Sequence, residues 1–215
     1  DNIAMDLLKD YFEDEDYWKL FFTDLGINFT IASERDGYMT LKDYSTVFRV
    51  LYNSSYLNRE MSHLALSMLC QTTFTGGIIK GVNDSSLTIA SKYGFRLHGE
   101  SAQLHEFAIV YAYDRPYLLG IMTKGASPDK LSQVVSEVAS LIHNYYGKSV
   151  IHQLQYKFRE KVEGYDLLNP LLDCGLQLEE VHSFKNDINE YLKQHKELGS
   201  IEDASVYFRH LKTGK

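Results

Sequence analysis

The stretch that decides the fold is LHEFAIVYAYDRPYLLGIMTKG, residues 104–125. Two apolar runs in it, residues 105–113 and 117–123, are rich in Ile, Val, Tyr and Phe, and the Asp114-Arg115-Pro116 segment between them is typical of a turn. These runs predict an antiparallel hairpin. Because both are almost continuously apolar, we expect a sheet that is covered on both faces. Further strands are predicted over residues 87–91 and 204–211.

Helical patterns flank the predicted strands. Ser127-Pro128 indicates a helix start, since serine caps free N–H groups and proline fits the first turn, and apolar spacing continues to Gly147. Thr40 and Asn58 indicate two earlier helix starts. The second of these helices has the apolar stripe Met61, Leu64, Ala65 and Met68. Another helix is predicted over residues 179–198. The pattern as a whole predicts an α+β fold, with an antiparallel sheet flanked by helices and a helical lobe.

Composition and charge exclude several classes of protein. The 215 residues, 44% hydrophobic and 24% charged, are typical of one sizeable globular domain. The net charge of -7 argues against a nucleic-acid partner, and no apolar run is long enough for a transmembrane segment. Eight scattered histidines and two cysteines, Cys70 and Cys174, predict no metal site or other cofactor and leave the pairing of the cysteines open. A start at Asp1 predicts a processed or excised form, so targeting is not readable from the sequence.

Three segments together carry a resemblance to a known family. They are TIASKYGF (residues 88–95), the hairpin of residues 104–125, and SPDKLSQVVSEVASLI (residues 127–142). They resemble the second half of the class A β-lactamase and penicillin-binding serine hydrolase family. The start DNIAMDLL is similar to the end of that family's Ser-Asp-Asn motif and the helix after it. Lys92-Tyr93-Gly94 then corresponds to the Lys-Thr-Gly motif, with tyrosine in place of threonine.

This resemblance implies a β-lactamase/transpeptidase-like fold and acyl-serine chemistry on a small-molecule substrate, a β-lactam or a peptidoglycan-like amide. It implies catalytic roles for Asn2 and Lys92. Lys92 would help to hold an anionic substrate and to direct proton transfer, and Gly94 would let the substrate backbone lie close to the strand. Asp1, Tyr93 and His105 complete the implied substrate-binding set. An extracytoplasmic or cell-envelope location is also implied.

The last third of the sequence resembles the beginning of the same family. The segments are GYDLLNPLLDC (residues 164–174) and the stretch from Phe184 to Lys215. The family order is therefore expected to be rotated within a single domain, residues 1–215. We expect a mostly helical lobe over 1–85, the sheet and the C-terminal-type helix over 86–148, and the lead-in, first helix and first strand over 149–215. The segment with the nucleophilic Ser-x-x-Lys is expected outside the sequence, on a complementing segment.

Other candidate motifs have simpler explanations. Ser127-Pro128-Asp129-Lys130 has the spacing of Ser-x-x-Lys, but helix capping accounts for it. Lys212-Thr213-Gly214 has the letters of the third motif, but it indicates a hairpin turn. The loop around Glu34 lacks the Glu-x-x-Leu-Asn pattern of efficient β-lactamases, which favours a peptidase or a slow penicillin binder. A non-catalytic module of this fold, binding cell-wall glycopeptide or a protein partner, is the alternative.

Overall fold

The computed structural model describes residues 7, 10–11, 15–27, 39–112, 115–147, 164–168 and 182–211. The chain divides into two compact units, residues 1–47 and 48–215. The helices are α1 (Glu15–Asp24), α2 (Leu41–Asn53), α3 (Arg59–Leu69), α4 (Ile78–Val82), α5 (Pro128–Ile142) and α6 (His182–Glu197), and the π-helical turn His143–Gly147 follows α5. The strands are β1 (Ile89–His98), β2 (Ser101–Val110), β3 (Tyr117–Gly125) and β4 (Asp203–His210). The predicted limits at residues 85 and 148 stay predictions.

Capping side chains fix the starts of α2 and α3. The Thr40 hydroxyl accepts a hydrogen bond from the Asp43 N–H at 3.1 Å, and it donates to the Asp43 carboxylate at 2.7 Å. Asn58 Oδ1 accepts a hydrogen bond from the Met61 N–H at 2.8 Å. Each cap satisfies an N–H group that the first turn of a helix leaves unpaired. Both predicted helix starts are confirmed.

The four strands form one antiparallel sheet in the order β1-β2-β3-β4. Gly94 lies opposite His105 in the first pair, and Phe107 lies opposite Gly120 in the second. Since β4 pairs with β3, the strands β1 and β4 are the two edges of the sheet in the described part of the chain. The predicted hairpin and the predicted α+β class, an antiparallel sheet with helices, are confirmed.

One face of the sheet holds the main hydrophobic core. Helix α5 packs on β2 and β3 and also contacts α4 and α6. Burial of the apolar side chains between the sheet and α5 supplies the main driving force for this packing, about 25 cal/mol per Å² of apolar surface buried. The fully buried side chains of this core include Leu119, Ile121, Leu131, Val135, Val138 and Ile142.

The opposite face is covered where Phe107 lies. The Phe107 ring stacks on Phe48, with the ring centres 5.9 Å apart, and both side chains are buried. A Cβ added to Gly120 would lie 2.2 Å from the Phe107 ring, so the ring occupies the space that a side chain there would need. Coverage of both faces, which the apolar runs predict, is therefore present at the centre of the sheet.

Two elements differ from the sequence prediction. β1 continues past the predicted end at Ser91 as far as His98, because its pairing with β2 extends through the Lys-Tyr-Gly segment to the hairpin turn. The five-residue helix α4 lies between Gly77 and Asn83, inside the region expected to be mostly helical but without a predicted helix start.

Helix α3 differs in its orientation. Of its predicted apolar stripe, Met61, Leu64 and Met68 are 41%, 51% and 65% exposed, whereas Ser62 and Leu66 are buried. The inward position of a serine is possible because its hydroxyl donates to the Leu57 carbonyl at 3.3 Å, so the buried polar group has a partner.

Candidate functional site

The Lys-Tyr-Gly segment lies in the middle of β1. Because side chains alternate along a strand, Lys92 and Gly94 share one face of the sheet and Tyr93 belongs to the other. Lys92 and Gly94 are both exposed. A Cβ added to Gly94 would meet no heavy atom within 4 Å. This length of strand is therefore open, and a bound molecule can approach its backbone closely.

His105 extends this open area from the neighbouring strand. It is the register partner of Gly94 and is half-buried. Because Gly94 has no side chain, no Cβ at that position stands between the imidazole and the edge of β1. Burial lowers the pKa of His105, and the Leu104 backbone partly opposes this shift. We call Lys92, Gly94 and His105 the Lys92 patch.

The Lys92 ammonium has no carboxylate partner among the described residues. It donates a hydrogen bond to the Tyr93 carbonyl oxygen and lies 5.1 Å from the centre of the Tyr93 ring, within the range of a cation–π contact. Because Lys92 is exposed, an anionic ligand can replace these contacts without breaking a buried ion pair. The patch therefore supplies a positive charge suited to a carboxylate.

The Tyr93 ring contributes to the other side of the strand. It stacks on the Phe74 ring, with centres 4.5 Å apart and planes inclined by 26°. The structure thus brings Lys92, Gly94 and His105 together on one face, whereas the Tyr93 ring packs on Phe74 and contacts only the Lys92 ammonium of this set. On the same face, the register partner of Lys92 in β2 is the buried Phe107. The exposed lysine of the edge strand therefore lies next to a buried side chain of the sheet.

Several residues singled out by the sequence fall outside the described residues. Asp1 and Asn2 are among them, so their roles and the expected approach of Asn2 to Lys92 stay predictions. Glu34, Cys174 and the Lys212-Thr213-Gly214 segment also lie outside. Cys70 is described and is a free thiol, with its pKa raised by burial.

Ser127, the serine with a lysine three positions later, caps a helix. Its side chain accepts a hydrogen bond from the Lys130 N–H at 3.5 Å, and Pro128 occupies the first turn of α5. This geometry agrees with the capping interpretation of the Ser127–Lys130 motif.

Glu106 and Ser91 form a buried pair that was not among the predicted site residues. Ser91 directly precedes Lys92 in the sequence, and its hydroxyl donates a hydrogen bond to Glu106 Oε1 at 2.7 Å. Burial raises the pKa of Glu106, while hydrogen bonds from the Ile78 N–H and Ser91 counteract the shift. A single acid inside the apolar run of β2 was the signal that the sequence offered.

Other features of the described residues do not involve the Lys92 patch. A cleft of about 440 Å³ lies along α4 and α5, and none of its lining residues belongs to the patch. No group of three His, Cys, Asp or Glu side chains suited to a metal occurs in the described ranges. None of the helices in those ranges has the length and apolarity needed to cross a bilayer.

Comparison with known proteins identifies the family. The model of the β-lactamase enzyme family matches residues 1–146, which is more than half of the chain and includes β1, β2, β3 and α5. The match ends before α6 and β4. No curated protein and no solved structure matches the chain. The protein, with its antiparallel sheet, flanking helices and Lys-Tyr-Gly strand, therefore belongs to the β-lactamase enzyme family, whose members are serine hydrolases.

Proposed function

We propose that the protein acts in acyl-serine hydrolysis of β-lactams or peptidoglycan-like amides, and that the Lys92 patch holds the substrate. The observation that carries the proposal is the register of β1 and β2. It places an exposed lysine, an uncovered glycine and a half-buried histidine side by side, inside the segment that matches the family.

The chemistry has two steps. A serine oxygen attacks the amide carbonyl, the new O–C bond forms as the C–N bond breaks, and the leaving amine takes a proton. Water then attacks the acyl ester, which releases the acid and restores the serine hydroxyl. In both steps negative charge develops on the carbonyl oxygen and must be stabilised. We assign Lys92 to the substrate anion and to the proton transfers, and Asn2 to the substrate amide and the lysine of Ser-x-x-Lys.

The substrate is expected to lie along the outer edge of β1. In the described residues that edge has no partner strand, and we propose that its backbone groups pair with the amide of a peptide-like ligand. Gly94 permits close approach, and Lys92 and His105 are placed to meet a carboxylate. Asp1 is assigned a supporting contact with the substrate, and Tyr93 supports Lys92 through its carbonyl oxygen and its ring. We propose an extracytoplasmic location, where peptidoglycan-like substrates occur.

The order of the chain is part of the proposal. α6 and β4 follow the family match in sequence, yet β4 pairs with β3. This arrangement supports a rotated order, in which β4 corresponds to the first strand of the family. The outer edge of β4 has no partner among the described residues, which suits a complementing segment that brings the next strand and the Ser-x-x-Lys serine. The absence of a Glu-x-x-Leu-Asn pattern favours a peptidase or slow penicillin binder within class A-like enzymes.

A second candidate is a non-catalytic module that binds cell-wall glycopeptide or a protein partner. One observation favours it. Ser91, which precedes Lys92, is directed away from the patch and is bonded to the buried Glu106. A binding module would keep the Lys92 patch and need no nucleophile.

The test separates binding from acylation. Benzylpenicillin is titrated into the protein and followed by NMR, and intact mass is measured for a covalent adduct. We expect reversible binding that weakens by about tenfold or more in Lys92→Met, because a charge-assisted contact is lost, and no adduct until a Ser-x-x-Lys segment is supplied. Lys130→Met, an exposed lysine on α5, is the matched control. Equal affinity in the two variants would contradict the assignment of Lys92. An adduct that disappears in Ser127→Ala would contradict the capping role of Ser127.

A further inference from the structure

Glu106 is a fully buried acid in the middle of β2, opposite Tyr93 in the register. Both of its carboxylate oxygens are hydrogen-bonded. Oε1 accepts from the Ser91 hydroxyl and Oε2 accepts from the Ile78 N–H, each at 2.7 Å. An ionised carboxylate is costly inside a core unless such donors compensate for the lost water. One side chain therefore joins β1, β2 and the first residue of α4.

The approach of Glu106 to α4 depends on Gly77. A Cβ at Gly77 would lie 1.9 Å from Glu106 Oε2, far inside contact distance. The missing side chain leaves the space that the carboxylate occupies. The next carbonyl back along the chain, that of Gly76, accepts a hydrogen bond from the Ser132 hydroxyl at 3.0 Å, which attaches the same turn to α5.

Residues on both sides of Lys92 are held by this arrangement. Ser91, before it, is bonded to Glu106, and Tyr93, after it, stacks on the Phe74 ring. Phe74 is part of the segment that contains Gly77 and leads into α4, residues 74–78. The strand is thus fixed immediately before and after the exposed lysine.

We infer that Glu106 is a positioning residue, which holds β1 through Ser91 and Ile78 so that Lys92 and Gly94 meet the substrate in a fixed geometry. This inference rests on the proposed function of the Lys92 patch. Glu106 belongs to the helix-covered face of the sheet and acts only through its neighbours. A well-packed apolar side chain often stabilises a core at least as well as a buried charged group. What the acid adds, and an apolar residue would not, is two directional hydrogen bonds that hold Ser91 and Ile78 in place.

Ser91→Thr and Ser91→Val form the informative pair of variants. Threonine and valine have nearly the same shape, and only threonine keeps the hydroxyl that Glu106 accepts from. Thr123→Val is the matched control, because Thr123 is equally buried in β3 and its hydroxyl donates to the Leu104 carbonyl at 2.8 Å, two strands away from Lys92. Glu106→Gln keeps the size of the side chain and serves as a second variant should the Ser91 variants fail to fold.

Two measurements are made on every variant: the affinity for benzylpenicillin by NMR titration, and the hydrogen exchange of the β1 amides nearest Lys92. We expect Ser91→Val to bind about fivefold to tenfold more weakly than Ser91→Thr and to exchange faster at these amides. Thr123→Val should match the wild type in both measurements. Equal affinities and equal exchange rates for Ser91→Thr and Ser91→Val would overturn the inference.

The two measurements also separate this inference from the proposed function. If the wild type bound no benzylpenicillin, the proposed function would fail, and hydrogen exchange alone would decide about Glu106. Faster exchange beside Lys92 in Ser91→Val, with Ser91→Thr like the wild type, would then still support the fixing of the strand. Binding that is lost in Lys92→Met and unchanged in Ser91→Val would support the function and reject the positioning role.

Discussion

The centre of the sheet and its β1 edge use the same residue, glycine, for opposite purposes. At the centre, the space beside Gly120 is filled by the buried Phe107 ring. At the edge, the space beside Gly94 is empty, and the residue is exposed. Phe107 connects the two regions, since it packs on Gly120 and is the register partner of Lys92. The centre is closely packed, whereas the β1 edge beside Gly94 is open.

The largest loss of stability is expected from a substitution at the centre of the sheet. Gly120→Ala would place a methyl group 2.2 Å from the Phe107 ring, which is held between Gly120 and Phe48. We expect a loss of about 3 kcal/mol in the free energy of unfolding, because overpacking displaces a buried ring. Urea unfolding measures it. Phe107→Leu in the same background should recover part of the loss, and additive effects of the two substitutions would show that the ring is not the cause.

The second prediction concerns the pH dependence of stability that arises from Glu106, the buried acid of β2. Since burial raises the pKa of Glu106, the folded state keeps its proton to higher pH than the unfolded state does. The contribution of Glu106 to the unfolding free energy should therefore fall as the pH rises through the window above the ordinary carboxyl pKa. Urea unfolding across this window compares the wild type with Glu106→Gln.

In Glu106→Gln the side chain does not titrate, so its unfolding free energy should change less over the same pH range. Parallel curves for the two proteins would show that Glu106 has the same pKa in the folded and unfolded states. Such a result would show that Glu106, although buried, titrates like an exposed acid.

The contrast between centre and edge also explains what the sequence could predict. The apolar runs of β2 and β3 and the caps Thr40, Asn58 and Ser127 act over a few residues, so the hairpin and the helix starts were predictable. The length of β1 was underestimated although Lys92-Tyr93-Gly94-Phe95 alternates polar or small with aromatic residues. An edge strand that exposes one side lacks the continuous apolar run on which that prediction depended.

The remaining misses depend on contacts between distant segments. Helix α3 places Ser62 inward because of its packing and the Leu57 carbonyl, which its apolar spacing does not reveal. Glu106 and Ile78 are 28 residues apart, and only the folded chain brings them to 2.7 Å. The resemblance singled out Lys92, Gly94 and His105, which the register places side by side while their roles stay predictions, and it gave no sign of the bond between Ser91 and Glu106.

A smaller effect, on ligand affinity, is expected from His105, which lies in β2 beside Gly94 of the edge strand. Its lowered pKa means that the imidazole is mostly neutral near pH 7 and gains its charge as the pH falls. Affinity for benzylpenicillin, whose carboxylate stays ionised, should therefore rise a few-fold as the pH is lowered toward 5.5, by roughly 0.5–1 kcal/mol. In His105→Gln this pH dependence should disappear. NMR titrations at several pH values measure it, and an unchanged profile in the variant would exclude His105 from contact with the carboxylate.

The smallest change in stability is expected at Gly94, and it completes the comparison with Gly120. Gly94→Ala adds a methyl group to open space, and alanine loses less backbone entropy than glycine on folding. We expect the unfolding free energy to stay within about 0.5 kcal/mol of the wild type. Under the proposed function the same methyl group would stand in the path of the substrate backbone, so binding of benzylpenicillin should weaken several-fold. If Gly94→Ala lost stability like Gly120→Ala, the edge would be packed rather than open. If it kept both stability and affinity, the ligand would have to bind away from this part of β1.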